Sequence, residues 1–168
     1  MKLKLYGFFF LISSCLVTPS EAQNLEELLR MLKDNKLEEI KARLPSLVTK
    51  YPNKPELLYI QAFLETDGQQ ALKLYKKIVE EHSTSAYADD ALFKIAQYYF
   101  ALGLYVNARK SFTNLVTLYP ESPLADEAQY FAARCLFAMG QVTSARNEMD
   151  TFLRNHSDSQ LAKLARQD

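Results

Sequence analysis

Two histidines, two cysteines and twenty carboxylates are the side chains of this 168-residue chain best suited to chemistry, and their spacing limits what they can do. A structural or catalytic metal needs three or four ligands converging on one point. His82 and His156 lie 74 positions apart, with no Cys-x-x-Cys or His-Glu-x-x-His near either. They share a helix-end position with Tyr51 and Tyr119, so the simpler reading is a planar, half-polar ring that packs at each turn. The acidic pairs Glu26-Glu27, Glu38-Glu39, Glu80-Glu81 and Asp89-Asp90 fall at helix ends or outer faces, where solvation and the helix dipole account for them. No spacing isolates an acid/base pair, and there is no Gly-rich phosphate loop or nucleophile elbow. We therefore expect no catalytic residue, no metal ligand and no cofactor site, and a chain that is not an enzyme.

The cysteines divide by location. Cys135 sits among Phe131, Ala132 and Leu136 and reads as a small buried residue on a helix. Cys15 lies in an N-terminal segment of another kind: Lys2 and Lys4, then an apolar run from Leu5 to Val17, then Thr18-Pro19-Ser20-Glu21-Ala22. That order predicts an export signal over residues 1–22, with the folded domain over 23–168. The apolar run is shorter than the roughly 20 residues a spanning helix needs. Two cleavage readings stay open. Cutting after Ala22 is preferred and leaves Cys135 with no intramolecular disulfide partner; alternatively, Leu11-Ile12-Ser13-Ser14-Cys15 is a lipidation site and Cys15 the mature N-terminus. The mature chain is therefore expected to be exported, and either soluble or, if Cys15 is modified, lipid-tethered.

The elements that would carry these residues are helices. Hydrophobic residues make up 48% of the chain and charged ones 24%, so a core can form, while four Gly and six Pro supply few of the turns an all-β domain needs. Twenty basic residues balance twenty acidic ones without a long run of either sign, which argues against nucleic acid or an anionic membrane surface as partner.

A 37-residue spacing organises the chain. It relates Ala71, Ala108 and Ala145; Tyr75, Phe112 and Met149; Ile78, Leu115 and Phe152; and Val79, Val116 and Leu153. Offsets of 0, 4, 7 and 8 form one helical face. Ser85, Ser122 and Ser159 each precede a similar Ala-patterned stretch, and Leu47 to Pro52 is an earlier copy of Leu115 to Pro120. The pattern predicts helices near 24–34, 37–50, 54–65, 69–82, 86–102, 105–118, 123–139, 142–155 and 159–167, with turns at Gly68, Gly103 and Gly140.

Between Leu92 and Pro120 the residues Leu92, Ile95-Ala96, Tyr99, Gly103, Tyr105, Ala108, Phe112, Leu115 and Pro120 have a spacing that resembles the tetratricopeptide repeat. The next copy keeps Gly140 and Ala145 but has Leu136, Val142 and Met149 in the aromatic slots and Ser157 in place of the Pro. The resemblance implies an all-α, right-handed solenoid of about 3.5 helix-turn-helix repeats with a C-terminal capping helix. The Tyr-Pro-x-Ser-Pro-x-Ala-Asp-x-Ala junction is similar to that of the bacterial periplasmic Tol-Pal coordinator family, and to the lipoprotein component of the outer-membrane β-barrel assembly machine.

By analogy with such scaffolds, the first helix of each repeat lines a concave groove. That would place Phe93, Gln97 and Phe100 beside Tyr130, Arg134 and Phe137, with Ile60 and Phe63 further along. The implied function is a cell-envelope scaffold that holds segments of partner proteins in this groove, in Tol-Pal-linked envelope maintenance or division. The alternative is a lipid-anchored component of outer-membrane barrel assembly. For any single aromatic, packing between helices competes with the groove role.

Overall fold

The Ser-led turns and Gly-ended helices of the repeat set the bounds of the elements in the computed structural model, which describes residues 19–167. Nine helices are present among the described residues: α1 (Pro19–Lys33), α2 (Leu37–Lys50), α3 (Pro55–Leu64), α4 (Gly68–Glu81), α5 (Ala88–Ala101), α6 (Tyr105–Leu118), α7 (Ala125–Ala138), α8 (Val142–Asn155) and α9 (Ala162–Ala165). Cys15 and most of the expected export signal lie outside the described residues. The first helix begins at Pro19, earlier than expected, so the site after Ala22 falls within its first turn.

Helix ends repeat as faithfully as helix cores. Gly103 and Gly140 take φ of +71° and +75°, and the residues after them donate back to Tyr99 and Leu136 carbonyls at 2.9 Å. This is the left-handed C-terminal motif that glycine adopts without steric cost. Asn35 takes the same position after α1, with φ +56°. Gly68 differs from the expectation: it is the first residue of α4, and Asp67 caps the helix by accepting from the Gln69 and Gln70 N–H groups. What demands glycine there is space, because a Cβ on Gly68 would stand 2.7 Å from the Tyr98 ring.

The helices predicted from 86, 123 and 159 begin two or three residues later. In each case the serine hydroxyl accepts a backbone N–H two residues on (Tyr87, Leu124 and Leu161, at 3.3, 3.1 and 3.3 Å), which holds a turn before the helix opens. The last helix is accordingly a single turn, with only Ala162 and Ala165 buried.

Successive helices pack antiparallel in hairpins, and four apolar clusters follow one another along the stack. Leu28, Ile40, Leu57 and Ile60 join α1 to α3. Leu58, Tyr75, Ile78 and Ile95 join α3 to α5. Phe93, Phe112, Leu115 and Cys135 join α5 to α7, and Tyr130, Met149, Phe152 and Ala165 join α7 to α9. No single hairpin closes a core alone, since every cluster draws on the helix that follows its hairpin. Pro45 stands inside α2, where it gives up one backbone donor, and Thr49 Oγ1 donates to its carbonyl at 2.9 Å.

Candidate partner-binding surface

In each hairpin the first helix, α3, α5 or α7, packs on both neighbours and keeps only a narrow strip toward solvent. On α5 one side carries Ala91 and Ile95 into the cluster with α3 and α4, and another carries Phe93 and Ala96 into the cluster with α6 and α7. Between these stripes remain Asp90, Lys94 and Gln97, all half-buried, with Lys94 Nζ donating to Gln97 Oε1 at 3.3 Å. One repeat later, α7 presents Glu127 and Arg134.

The eight residues expected to line a groove separate into two groups. Ile60, Phe93 and Tyr130 are 0%, 4% and 2% exposed, so they form the core behind the surface and present no face to a partner. Their burial has a plain cause: Ile60 faces the cluster with α1 and α2, Phe93 the cluster with α6 and α7, where it meets Phe112 edge-on at 5.5 Å, and Tyr130 the cluster with α8 and α9, where its ring lies 5.9 Å from Phe152. Phe100 is half-buried against Tyr105 and Phe131, with ring centroids 5.4 and 5.6 Å away, and Phe137 packs on the last cluster. Phe63 is 45% exposed. Gln97 and Arg134 remain at the surface in part; the Arg134 guanidinium lies over the Tyr130 ring and its Nη1 donates to the Tyr130 hydroxyl at 3.4 Å. The strip is therefore more polar than expected. Asp90, Lys94 and Glu127 belong to it and were missed, although their spacing along one helix edge, with Asp90 and Glu127 one repeat apart, marks them in the sequence.

Burial also shapes the acid–base character of this region. It is the first cause that raises the Asp90 carboxyl above the usual range, with Asp89 adding to it and Lys94 opposing it. Burial likewise raises the Tyr59 hydroxyl to about 12, helped by Asp90.

The helix-end rings act as clasps between elements. Tyr119 donates its hydroxyl to the Ser83 carbonyl at 2.9 Å, and Ser122 Oγ donates to Asp89 Oδ2 at 2.6 Å. His156 stacks on Phe152, pairs through Nδ1 with Asp126 at 2.8 Å, and meets the Gln129 side-chain amide through Nε2 at 2.8 Å. His82 holds the same place after α4, with its Nε2 buried and unpartnered. Cys135 is 0% exposed, and burial raises its thiol to about 11, so the thiolate form that reacts is suppressed at neutral pH. Among the described residues no group of three or more His, Cys, Asp or Glu side chains could hold a metal ion.

Hairpins of paired helices, glycine-closed and stacked through shared clusters, define the class of this protein: an all-α solenoid of tetratricopeptide-type repeats. Residues 89–166, from α5 through α9, match the family model YfiO, described as an outer membrane lipoprotein. Solved structures agree on the fold. The Podosopora anserina kinesin light chain with nearly identical TPR-like repeats superposes with a TM-score of 0.57, at 19% identity over 82% of this chain and 75% of that one. A variant form of that same kinesin light chain gives 0.59, at 18% identity over 83% of this chain and 76% of that one. No curated protein matches the chain.

Proposed function

We propose that this protein is a non-enzymatic scaffold of the bacterial cell envelope that holds segments of other proteins against the polar strip of α5 and α7. The observation that carries this reading is the stretch from α5 to α9: two complete hairpins in matching geometry, coinciding with the match to an outer membrane lipoprotein family. That match favours the outer-membrane assembly version of the scaffold over the Tol-Pal-linked version, which has no support of its own from the comparisons. Chemistry by the chain itself is disfavoured because His156 serves packing and hydrogen bonding and Cys135 is sealed in the core.

The test is crosslinking in intact cells of the full chain and of a Lys94→Glu/Arg134→Glu variant, with partners identified by mass spectrometry. The reading expects barrel-assembly proteins with the parent chain and their loss with the folded variant. Recovery of Tol-Pal proteins instead would reverse the ranking, and identical partners for both chains would move the contact away from this strip. Mass analysis of the N-terminal peptide completes the test: an acylated Cys15 supports tethering to a membrane, and Gln23 as first residue excludes it.

A further inference from the structure

The second helices of the hairpins carry a feature that the strip on α5 and α7 does not use. A groove runs between α6 and the end of α7 with the turn that follows it, lined by Val106, Arg109, Lys110, Leu136, Met139 and Gln141, and its remaining lining is uncharged. Its apolar side is open to solvent: Val106 is 70% exposed, and Leu104 and Leu102 on the adjoining turn are 46% and 57% exposed. No charged residue occurs from Ala101 to Val106 or from Ala138 to Thr143, so the two neighbouring turns make one neutral, apolar edge.

The other side of the groove is cationic. α6 contains Arg109 and Lys110 and no acidic residue. Arg109 Nη2 is engaged by Glu148, yet its Nε is buried without a partner. Lys110 is exposed, has no hydrogen bond or ion pair among the described residues, and also borders the next groove toward α4. An apolar shelf beside an unneutralised cation suits one kind of occupant, a side chain that buries on the shelf with a carboxylate next to it. A second copy of the chain is a poorer fit, because eight lining residues fall well short of the roughly 20–30 a side of a stable interface.

We propose that this groove is a second docking site, independent of the α5/α7 strip, for a short acidic segment of a partner protein. One aliphatic side chain would rest on Val106 and Met139, with the buried Leu136 as the floor behind them, and the adjacent carboxylate would meet Lys110.

The test uses the isotope-labelled full chain and the acetylated peptide Gly-Glu-Asp-Leu-Glu-Gly, followed by amide and methyl shifts in NMR titrations. Two control peptides replace the leucine by glycine or the acids by lysine. Shifts centred on Val106, Lys110 and Met139, seen only with the acidic leucine peptide and weakened about tenfold or more by Lys110→Glu, are the expected result. Both Val106 and Lys110 are at the surface, and Val106→Asp serves as a second variant should Lys110→Glu unfold the chain. Equal response to all three peptides, shifts confined to α5 and α7, or binding untouched by either folded variant would overturn the proposal. Binding of phosphatidylglycerol vesicles that disappears with Lys110→Glu, without peptide binding, would overturn it too and assign the cations to a lipid surface.

Discussion

Arg109 on α6 pairs with Glu148 on α8 through Nη2 and Oε1 at 2.5 Å, over the Gln129–Ala132 stretch of α7 that lies between them. The pair joins two second helices, and so ties one repeat directly to the next. Its side chains are 34% and 40% exposed, so solvent screens it and its net contribution is about 0.5–1 kcal/mol. A double-mutant cycle with Arg109→Ala and Glu148→Ala, read by urea unfolding, should return a coupling of that order, shrinking as added salt approaches about 1 M. A coupling indistinguishable from zero at low salt would show that packing alone aligns these repeats.

The glycines should respond to alanine for different reasons. At Gly103 and Gly140 the positive φ makes Ala cost about 1–2 kcal/mol, whatever surrounds it. At Gly68 the obstacle is the Tyr98 ring, so the cost of Gly68→Ala should fall in a Tyr98→Ala background, while that of Gly103→Ala should not. Thermal melts of the single and double variants separate the two causes.

Phe112 is the hub of the aromatic core: fully buried, edge-on to Phe93 and stacked on Phe131 at 5.5 Å with rings 18° apart. Phe112→Ala should cost about 3–5 kcal/mol. Phe112→Leu should cost less, since it leaves a smaller cavity. Equal losses for the two would mean that the stacking geometry matters more than the volume.

Alkaline pH should destabilise the fold. An acid whose folded value is raised favours folding while it is protonated, and that advantage is lost as pH rises through the raised value. Cys135 moves from 9.0 to about 11, and Tyr59 from 10.0 to about 12, so stability should hold to about pH 9 and decline above it. Cys135→Ala should flatten the part of the decline between about pH 9 and 11. A profile unchanged by this substitution would show that the thiol ionises as readily in the folded chain as in the unfolded one.

Asp90 is raised above 3.8 by burial, so at neutral pH its charge opposes folding. Asp90→Asn should therefore raise the melting temperature near pH 7, with the gain vanishing as pH falls below the unfolded carboxyl value. Destabilisation by Asp90→Asn at neutral pH would mean that the attraction to Lys94 outweighs the burial.

Much of the architecture is legible from residue spacing. The bounds of α2, α6 and α8 coincide with those expected from the 37-residue pattern, because a ring at each end and glycine or Asn35 before each start are local signals. The starts of α5, α7 and α9 lie later than the spacing suggests because a serine before a helix can cap the helix or a turn leading to it, and only the hydrogen bonds at Tyr87, Leu124 and Leu161 show the turn. The candidate surface is less legible. Helical periodicity places Phe93, Gln97 and Phe100 on one face of α5, but it does not say how much of that face the next hairpin covers.

The sequence by itself determined that this chain is helical and repeated, since both depend on residue type and short-range spacing. Tertiary structure alone decided that Ile60, Phe93 and Tyr130 are core, that Lys94, Gln97 and Arg134 remain within reach of solvent, and that Gly68 must make room for Tyr98. Those outcomes turn on which helix lies against which. In a solenoid that is set by the summed packing of every interface in the stack, and no local pattern carries that sum.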